Sequence, residues 1–338
     1  MFVADKIRGS LIGGAAGDAL GYTIEFLSEE TIFRLFGSEG IQDFQLFEGE
    51  ALISDDTQMT LFTANALVVA AQSGKEPLHV IRDAYLAWYQ TQTSSSPDAN
   101  GPFLVMNYPE LYSQRSPGLT CLSALANGGQ GSIERPINDS KGCGGVMRIA
   151  PIGLFFPVDR VGGDLIQDLA ARAAALTHGH KLGYLPAALL AQIISELIYH
   201  NTSLMEAIRS SLEIFENHFP ESADKTYLHH LVEKAIFLAS SGLSDLDCIH
   251  QLGEGWVAEE TLAIALYACL KYPEDFAKVI RVAANHSGDS DSTGAVAGNI
   301  MGAQLGYEAI PDAFKSQLEL KHLILQLADQ IFNFRKKA

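Results

Sequence analysis

Apolar residues recur three and four positions apart through most of this 338-residue chain, and strict apolar/polar alternation over strand-length windows is hard to find. That pattern restricts the fold class to mainly α. Leu185, Leu189, Ile193 and Leu197 repeat every four residues, and Pro186 predicts the first turn of that helix, where a backbone N–H has no intrahelical acceptor. Leu204, Ile208, Leu212 and Phe215 form a second stripe, as do Leu228, Leu231 and Ala235. Trp256 to Leu270 is apolar on most sides until Pro273 stops it. Phe276, Val279 and Ala283 continue the pattern, and Leu320, Leu323, Leu327 and Ile331 predict a closing helix within 311–334. The elements share no fixed period, which disfavours a solenoid.

Two segments depart from ordinary helix composition. Gly9, Gly13, Gly14, Gly17 and Gly21 lie in the first, and Gly294, Gly298 and Gly302 in the second. Each glycine costs roughly 1 kcal/mol in a helix interior, so this density needs a packing or ligand reason. Close helix approach at the centre of the molecule is the expectation for most of them. With 47% hydrophobic residues the chain can bury a large core. Length alone admits two domains, but no clear linker divides the chain, and it reads as one domain over 1–338.

The net charge of −17 argues against nonspecific nucleic-acid binding and against anionic membranes, since either surface requires a basic footprint. Cys121, Cys143, Cys248 and Cys269 are widely spaced, which fits reduced thiols in a cytoplasmic protein better than a zinc ribbon or disulfide framework. The N-terminal residues lack a signal-peptide pattern, and no run of about 18 uninterrupted apolar residues predicts a membrane span. Two long stretches, 91–118 and 127–145, are rich in Ser, Pro, Asn and Gly. Loops of that length in a compact domain are commonly functional, and Phe103, Tyr108 and Tyr112 favour an ordered first loop near a ligand.

Chemistry concentrates in two acidic clusters, Ser54-Asp55-Asp56-Thr57 and Gly288-Asp289-Ser290-Asp291-Ser292-Thr293. Each precedes an apolar helical run, so each can be read as an N-cap. A cap needs one acceptor, however, and each cluster offers two carboxylates plus hydroxyls, whose charges repel unless a cation lies between them. Hard oxygen donors of this kind suit Mg²⁺ or Mn²⁺. Zinc is disfavoured because it prefers Cys and His ligands in spacings absent here.

The motifs in order resemble the ADP-ribosylglycohydrolase family: Gly17-Asp18-Ala19-Leu20-Gly21 with Glu25-Phe26, then Ser54-Asp55-Asp56-Thr57, then Gly144-Gly145-Val146-Met147-Arg148-Ile149-Ala150-Pro151. Leu176-Thr177-His178, Gly253-Glu254-Gly255-Trp256-Val257-Ala258-Glu259-Glu260 and the second acidic cluster complete them. The resemblance implies an all-α, compact orthogonal helical bundle with a central dinuclear metal cleft. It places Ser54, Asp55, Asp56, Asp289, Asp291 and Ser292 on two Mg²⁺ or Mn²⁺ ions, with Ser54 and Ser292 standing where the family often has Thr.

The same resemblance implies cleavage of a glycosidic bond at the anomeric carbon of an ADP-ribosyl group, with Asp55 or Asp56 accepting a proton from water and Glu25 near the reacting centre. Gly144, Gly145, Val146 and Met147 would meet the ligand along their backbone, and His178 its ribose or phosphate side. Arg148 could pair with phosphate or brace the metal carboxylates from within, and the structural role is the favoured reading. The partner implied is an ADP-ribosylated protein or another ADP-ribose conjugate, with room for a complex with an ADP-ribosyltransferase or toxin. The acidic charge favours ADP-ribosyl-arginine as substrate; serine-, nucleic-acid- or small-molecule-linked ADP-ribose, and a catalytically silent ADP-ribose-binding module, are the alternatives.

Overall fold

The computed structural model describes residues 2–94 and 101–335. Every regular element among them is helical, and β-type pairing is limited to isolated bridges such as Gly142 with Val257. The all-α expectation therefore holds. In chain order the helices are α1 (Phe2–Tyr22), α2 (Glu29–Phe36), α3 (Asp55–Ser73), α4 (Pro77–Thr93), α5 (Leu119–Ala126), α6 (Ala150–Phe155), α7 (Val158–Val161) and α8 (Gly163–Ala175). They continue with α9 (Lys181–Ser195), α10 (Leu204–His218), α11 (Ala223–Ala239), α12 (Asp245–Leu252), α13 (Ala258–Lys271), α14 (Phe276–Ala284), α15 (Ser290–Leu305) and α16 (Lys321–Phe334).

The glycine-rich segments are the facing surfaces of α1 and α15. Gly9 lies opposite Gly302, Gly13 opposite Gly298, Gly17 opposite Gly294, and Gly21 opposite Ser290. The numbering runs in opposite directions, so the helices are antiparallel, and the four-residue spacing keeps the contacts on one face of each. A side chain on any of these glycines would overlap the backbone of the partner helix. The contact brings the C-terminal end of α1 against the N-terminal end of α15. Close packing thus explains the glycines and also fixes where the second acidic cluster sits.

Around this pair most residues of the predicted stripes are buried in one continuous apolar cluster that extends from Ile7 to Ile331, whereas Leu320 is partly buried and Trp256 exposed. Helix α10 starts with a reciprocal cap in which Ser203 Oγ accepts from Glu206 N at 3.3 Å and Glu206 Oε2 accepts from Ser203 N at 2.9 Å. Pro186 is not in a first turn, contrary to expectation. It lies inside α9, which begins earlier because the His180 ring accepts from Leu182 N at 3.0 Å and caps the helix at Lys181. The closing helix starts only at Lys321, after Leu320 adopts a left-handed conformation with φ of 56°. Residues 181–200 are long and apolar enough to cross a membrane, but 94% of that stretch is buried inside the protein, as a core helix would be.

Candidate active site

The first acidic cluster forms the N-terminus of α3, and two side chains take over the capping there. Ser54 Oγ accepts from Asp56 N at 3.2 Å. Asp18, at the end of α1, accepts from Ser54 N at 3.0 Å and from Thr57 N at 3.1 Å, and also from the Thr57 hydroxyl. Residues just upstream are pinned by Glu319, which accepts from Ile53 N at 3.0 Å and pairs with Arg115 at 3.2 Å. Because Ser54 and Asp18 satisfy the first turn, the Asp55 and Asp56 carboxylates are released from that duty.

The second cluster begins α15. Asp289 is its N-cap, accepting from Ser292 N at 3.2 Å, while Asp291 Oδ1 accepts from the same N–H at 2.8 Å. Asp289 N donates to Glu254 O at 2.9 Å, which ties the cluster to the segment carrying Trp256. That segment also holds the glycine-rich loop, through Cys143 N to Trp256 O at 3.2 Å and Ala258 N to Lys141 O at 2.9 Å. Sequence-distant motifs are thereby joined by main-chain bonds.

Together these elements enclose a cleft of about 490 Å³. Its wall carries Glu25, Asp55, Asp56, Asp289, Asp291 and Ser292, with Gly142, Cys143, Gly144, Met147 and His178 alongside, and none of the described residues lining it is Lys or Arg. Phe26 and Trp256 stack at 5.8 Å between centroids, and both line the cleft while remaining exposed to solvent.

Burial, reinforced by neighbouring carboxylates, drives the acids toward their neutral forms. Asp56 is pushed well above the usual carboxylate range by burial and then by Asp55, Asp18 and Asp289. Asp291 is raised in the same way by burial, Asp56, Asp289 and Glu25, and Asp55 by burial with Asp18, Glu25 and Asp289. Glu25 rises to about 8, burial first and then the Asp289 charge. Asp18 is raised to about 6 by burial, against the pull of its hydrogen bonds from Ser54 and Thr57. Asp56 Oδ2 and Glu25 Oε2 are buried without a hydrogen-bond partner.

Asp55, Asp56, Asp289, Asp291, Ser292, Glu25, Gly144, Met147 and His178 thus share one cavity. Ser54 lies beneath it as the α3 cap, and Gly145 and Val146 are buried behind the lining, Gly145 against the Gly183 carbonyl. Arg148 braces no carboxylate: its guanidinium donates to Thr177 Oγ1 and Ala173 O and lies over the Tyr85 ring. From the loop 91–118, only Ser116, Pro117 and Gly118 reach the cleft; Phe103, Tyr108 and Tyr112 pack on the core, and residues 95–100 lie outside the described residues. Sequence reasoning did not single out Ser116, Trp256 or the capping role of Asp18. Asp18 was legible only as a member of the Gly17-Asp18-Ala19-Leu20-Gly21 motif and as a lone acid in a small, apolar stretch.

A wholly helical frame encloses a cleft whose paired acids can serve both water and leaving group in a hydrolysis. The chain belongs to the ADP-ribosylglycohydrolase family, whose model matches residues 2–338. It is 25% identical to ADP-ribosylarginine hydrolase Tri1 of Serratia proteamaculans, over 97% of this chain and 79% of that protein. It is 24% identical to ADP-ribosylhydrolase ARH3 of Danio rerio, over 94% and 88% of the two chains. A solved structure titled ADP-ribosylglycohydrolase-related protein complex superposes with a TM-score of 0.70 at 25% identity, covering 99% of each chain. The protein is accordingly a glycohydrolase of the ADP-ribosyl class.

Proposed function

We propose that this chain hydrolyses the bond between ADP-ribose and arginine on a modified protein, releasing ADP-ribose and restoring the guanidine. The observation that carries this reading is the cleft itself, in which Glu25, Asp55, Asp56, Asp289 and Asp291 meet without a basic side chain in the lining. The net charge of −17 favours a guanidinium-bearing protein substrate over a nucleic-acid backbone as the carrier of the ADP-ribose. The arginine-directed name of the Serratia relative points the same way.

The residues fit a pair of divalent cations by donor chemistry. Asp55, Asp56, Asp289, Asp291 and Ser292 line the cleft and are the groups that would hold Mg²⁺ or Mn²⁺, with Ser54 beneath them as the α3 cap, and Asp56 Oδ2 is a buried acceptor without a hydrogen-bond partner. Among the described residues no three His, Cys, Asp or Glu side chains are grouped closely enough to hold a metal ion by themselves. Mg²⁺ needs none, since it commonly takes one or two carboxylates and keeps several waters. Bound there, the ions supply positive charge that keeps the acids ionised together and makes water more acidic.

The chain's own part is to hold and move the proton. Asp55 or Asp56 accepts it from the attacking water, whose oxygen bonds to the anomeric carbon as the bond to the arginine nitrogen breaks and that nitrogen regains a proton. Glu25 brings a further carboxyl from the segment between α1 and α2. The experiment is ADP-ribose release from arginine-, serine- and nucleic-acid-linked substrates side by side. Preference for arginine supports the reading, and preference for another linkage replaces it; binding of ADP-ribose with no release from any substrate makes the chain a silent binding module.

A further inference from the structure

Arg148 is fully buried, yet its partners are not acids. Nη2 donates to Thr177 Oγ1 at 2.7 Å and to Ala173 O at 3.3 Å, Nη1 approaches Cys121 Sγ at 3.3 Å, and the guanidinium lies 4.2 Å from the Tyr85 ring centroid. Thr177 Oγ1 in turn stands 2.8 Å from His178 Nδ1. His178 belongs to the cleft wall, and no hydrogen bond within the described residues occupies its Nε2.

The proton on Thr177 decides what His178 presents to the cleft. The hydroxyl already accepts from Arg148, and its single proton can go to Nδ1 at 2.8 Å or to Ala174 O at 3.4 Å. Ala174 O also receives Thr177 N at 3.1 Å and His178 N at 3.0 Å, so the ring nitrogen is the better acceptor. A proton on Nδ1 instead would leave the hydroxyl accepting twice and donating only across the longer path. We infer that Arg148 and Thr177 act as positioning residues that hold neutral His178 in the tautomer whose Nε2–H donates into the cleft, toward a phosphate or ribose oxygen of ADP-ribose.

Two further features agree. Burial, then the Arg148 charge, pushes the His178 ring down to about 3, so it stays neutral and keeps one nitrogen as acceptor for Thr177. Gly144 keeps the space beside the ring open, since a Cβ there would come within 2.9 Å of Cε1 and 3.3 Å of Nε2. The identity of the ligand oxygen rests on the ADP-ribose reading of the cleft; the tautomer does not.

The test is a long-range ¹⁵N–¹H correlation spectrum of histidine-labelled full-length protein without ligand, with His178 assigned by its loss in His178→Gln. The expected spectrum has Nδ1 unprotonated and Nε2 protonated. Thr177→Val should release the ring into a mixture of tautomers and weaken ADP-ribose binding about tenfold, the loss of one oriented hydrogen bond, and Thr177→Ser should restore both. A protonated Nδ1 in the wild type overturns the inference, as does a Thr177→Val protein with unchanged tautomer and affinity. The wild-type spectrum decides even if Thr177→Val does not fold. The expected tautomer without ADP-ribose binding supports the positioning role and counts against the ligand reading alone.

Discussion

Gly17 of α1 and Gly294 of α15 face each other so closely that a side chain on either would overlap the other's carbonyl oxygen. This contact sets the distance between the end of α1, which carries Asp18, and the start of α15, which carries Asp289 and Asp291. The small residues therefore bear on the chemistry, although none of those between the two helices touches the cleft.

Gly17→Val should destabilise the protein by about 3 kcal/mol or more, because backbone rather than a flexible side chain occupies the needed volume. Gly242→Ala, where a Cβ meets nothing within 4 Å, should stay within about 0.5 kcal/mol of wild type. Urea unfolding of the two variants checks the contrast, and equal midpoints would contradict it.

Asp56→Asn replaces a buried carboxyl crowded by Asp55, Asp18 and Asp289. In the presence of chelator its melting temperature should equal or exceed that of the wild type, and with metal restored its turnover should fall by about 100-fold or more. Mn²⁺ should raise the wild-type melting temperature and raise that of Asp56→Asn or Asp291→Asn less, as expected for ions bound by the native state. Calorimetry with and without Mn²⁺ reads both effects; full activity with unchanged metal binding in both variants would dismiss the assigned roles.

Lys6 supplies a pH signature remote from the cleft. Its ammonium donates to Leu197 O at 2.6 Å and Asn201 Oδ1 at 3.0 Å, and burial lowers it from 10.5 to about 8. The unfolded chain then binds this proton more tightly than the folded one, so the cost of the buried charge is full below pH 8 and is relieved as pH rises toward 10.5. The stability of wild type relative to Lys6→Met should increase across that window, by about 3 kcal/mol at most. A difference that stays flat from pH 7.5 to 10 would count against it.

Phe26 is 72% exposed, stacked on Trp256 at the cleft mouth. Phe26→Ala should leave the melting temperature unchanged and raise KM for a modified protein roughly three- to tenfold with little change in kcat, the scale of one aromatic contact. Steady-state kinetics separates this from a loss of turnover.

Helix periodicity made the all-α class and most core stripes legible because a buried face imposes its spacing on the sequence. The acid clusters were legible for the opposite reason, an excess of charge over what a cap requires. Pro186 misplaced the start of α9 because His180, an uncommon cap, begins the helix a turn earlier. The aromatics of 91–118 suggested a ligand wall but pack on the core, since a loop has no period from which to read its inward face. Asp18 was hidden because its acceptors are filled by backbone N–H groups some 36 to 39 residues away, a relation that only the fold creates.

The proposed function is removal of ADP-ribose from modified arginine by this acidic cleft with the help of divalent cations. Its most direct test is chromatographic measurement of ADP-ribose released from an ADP-ribosyl-arginine peptide by wild type and Asp56→Asn, first in chelator and then with Mg²⁺ or Mn²⁺ restored. Release is expected from the wild type only when metal is restored, with little or none from Asp56→Asn. Undiminished release in chelator, or equal release by the variant, would contradict it.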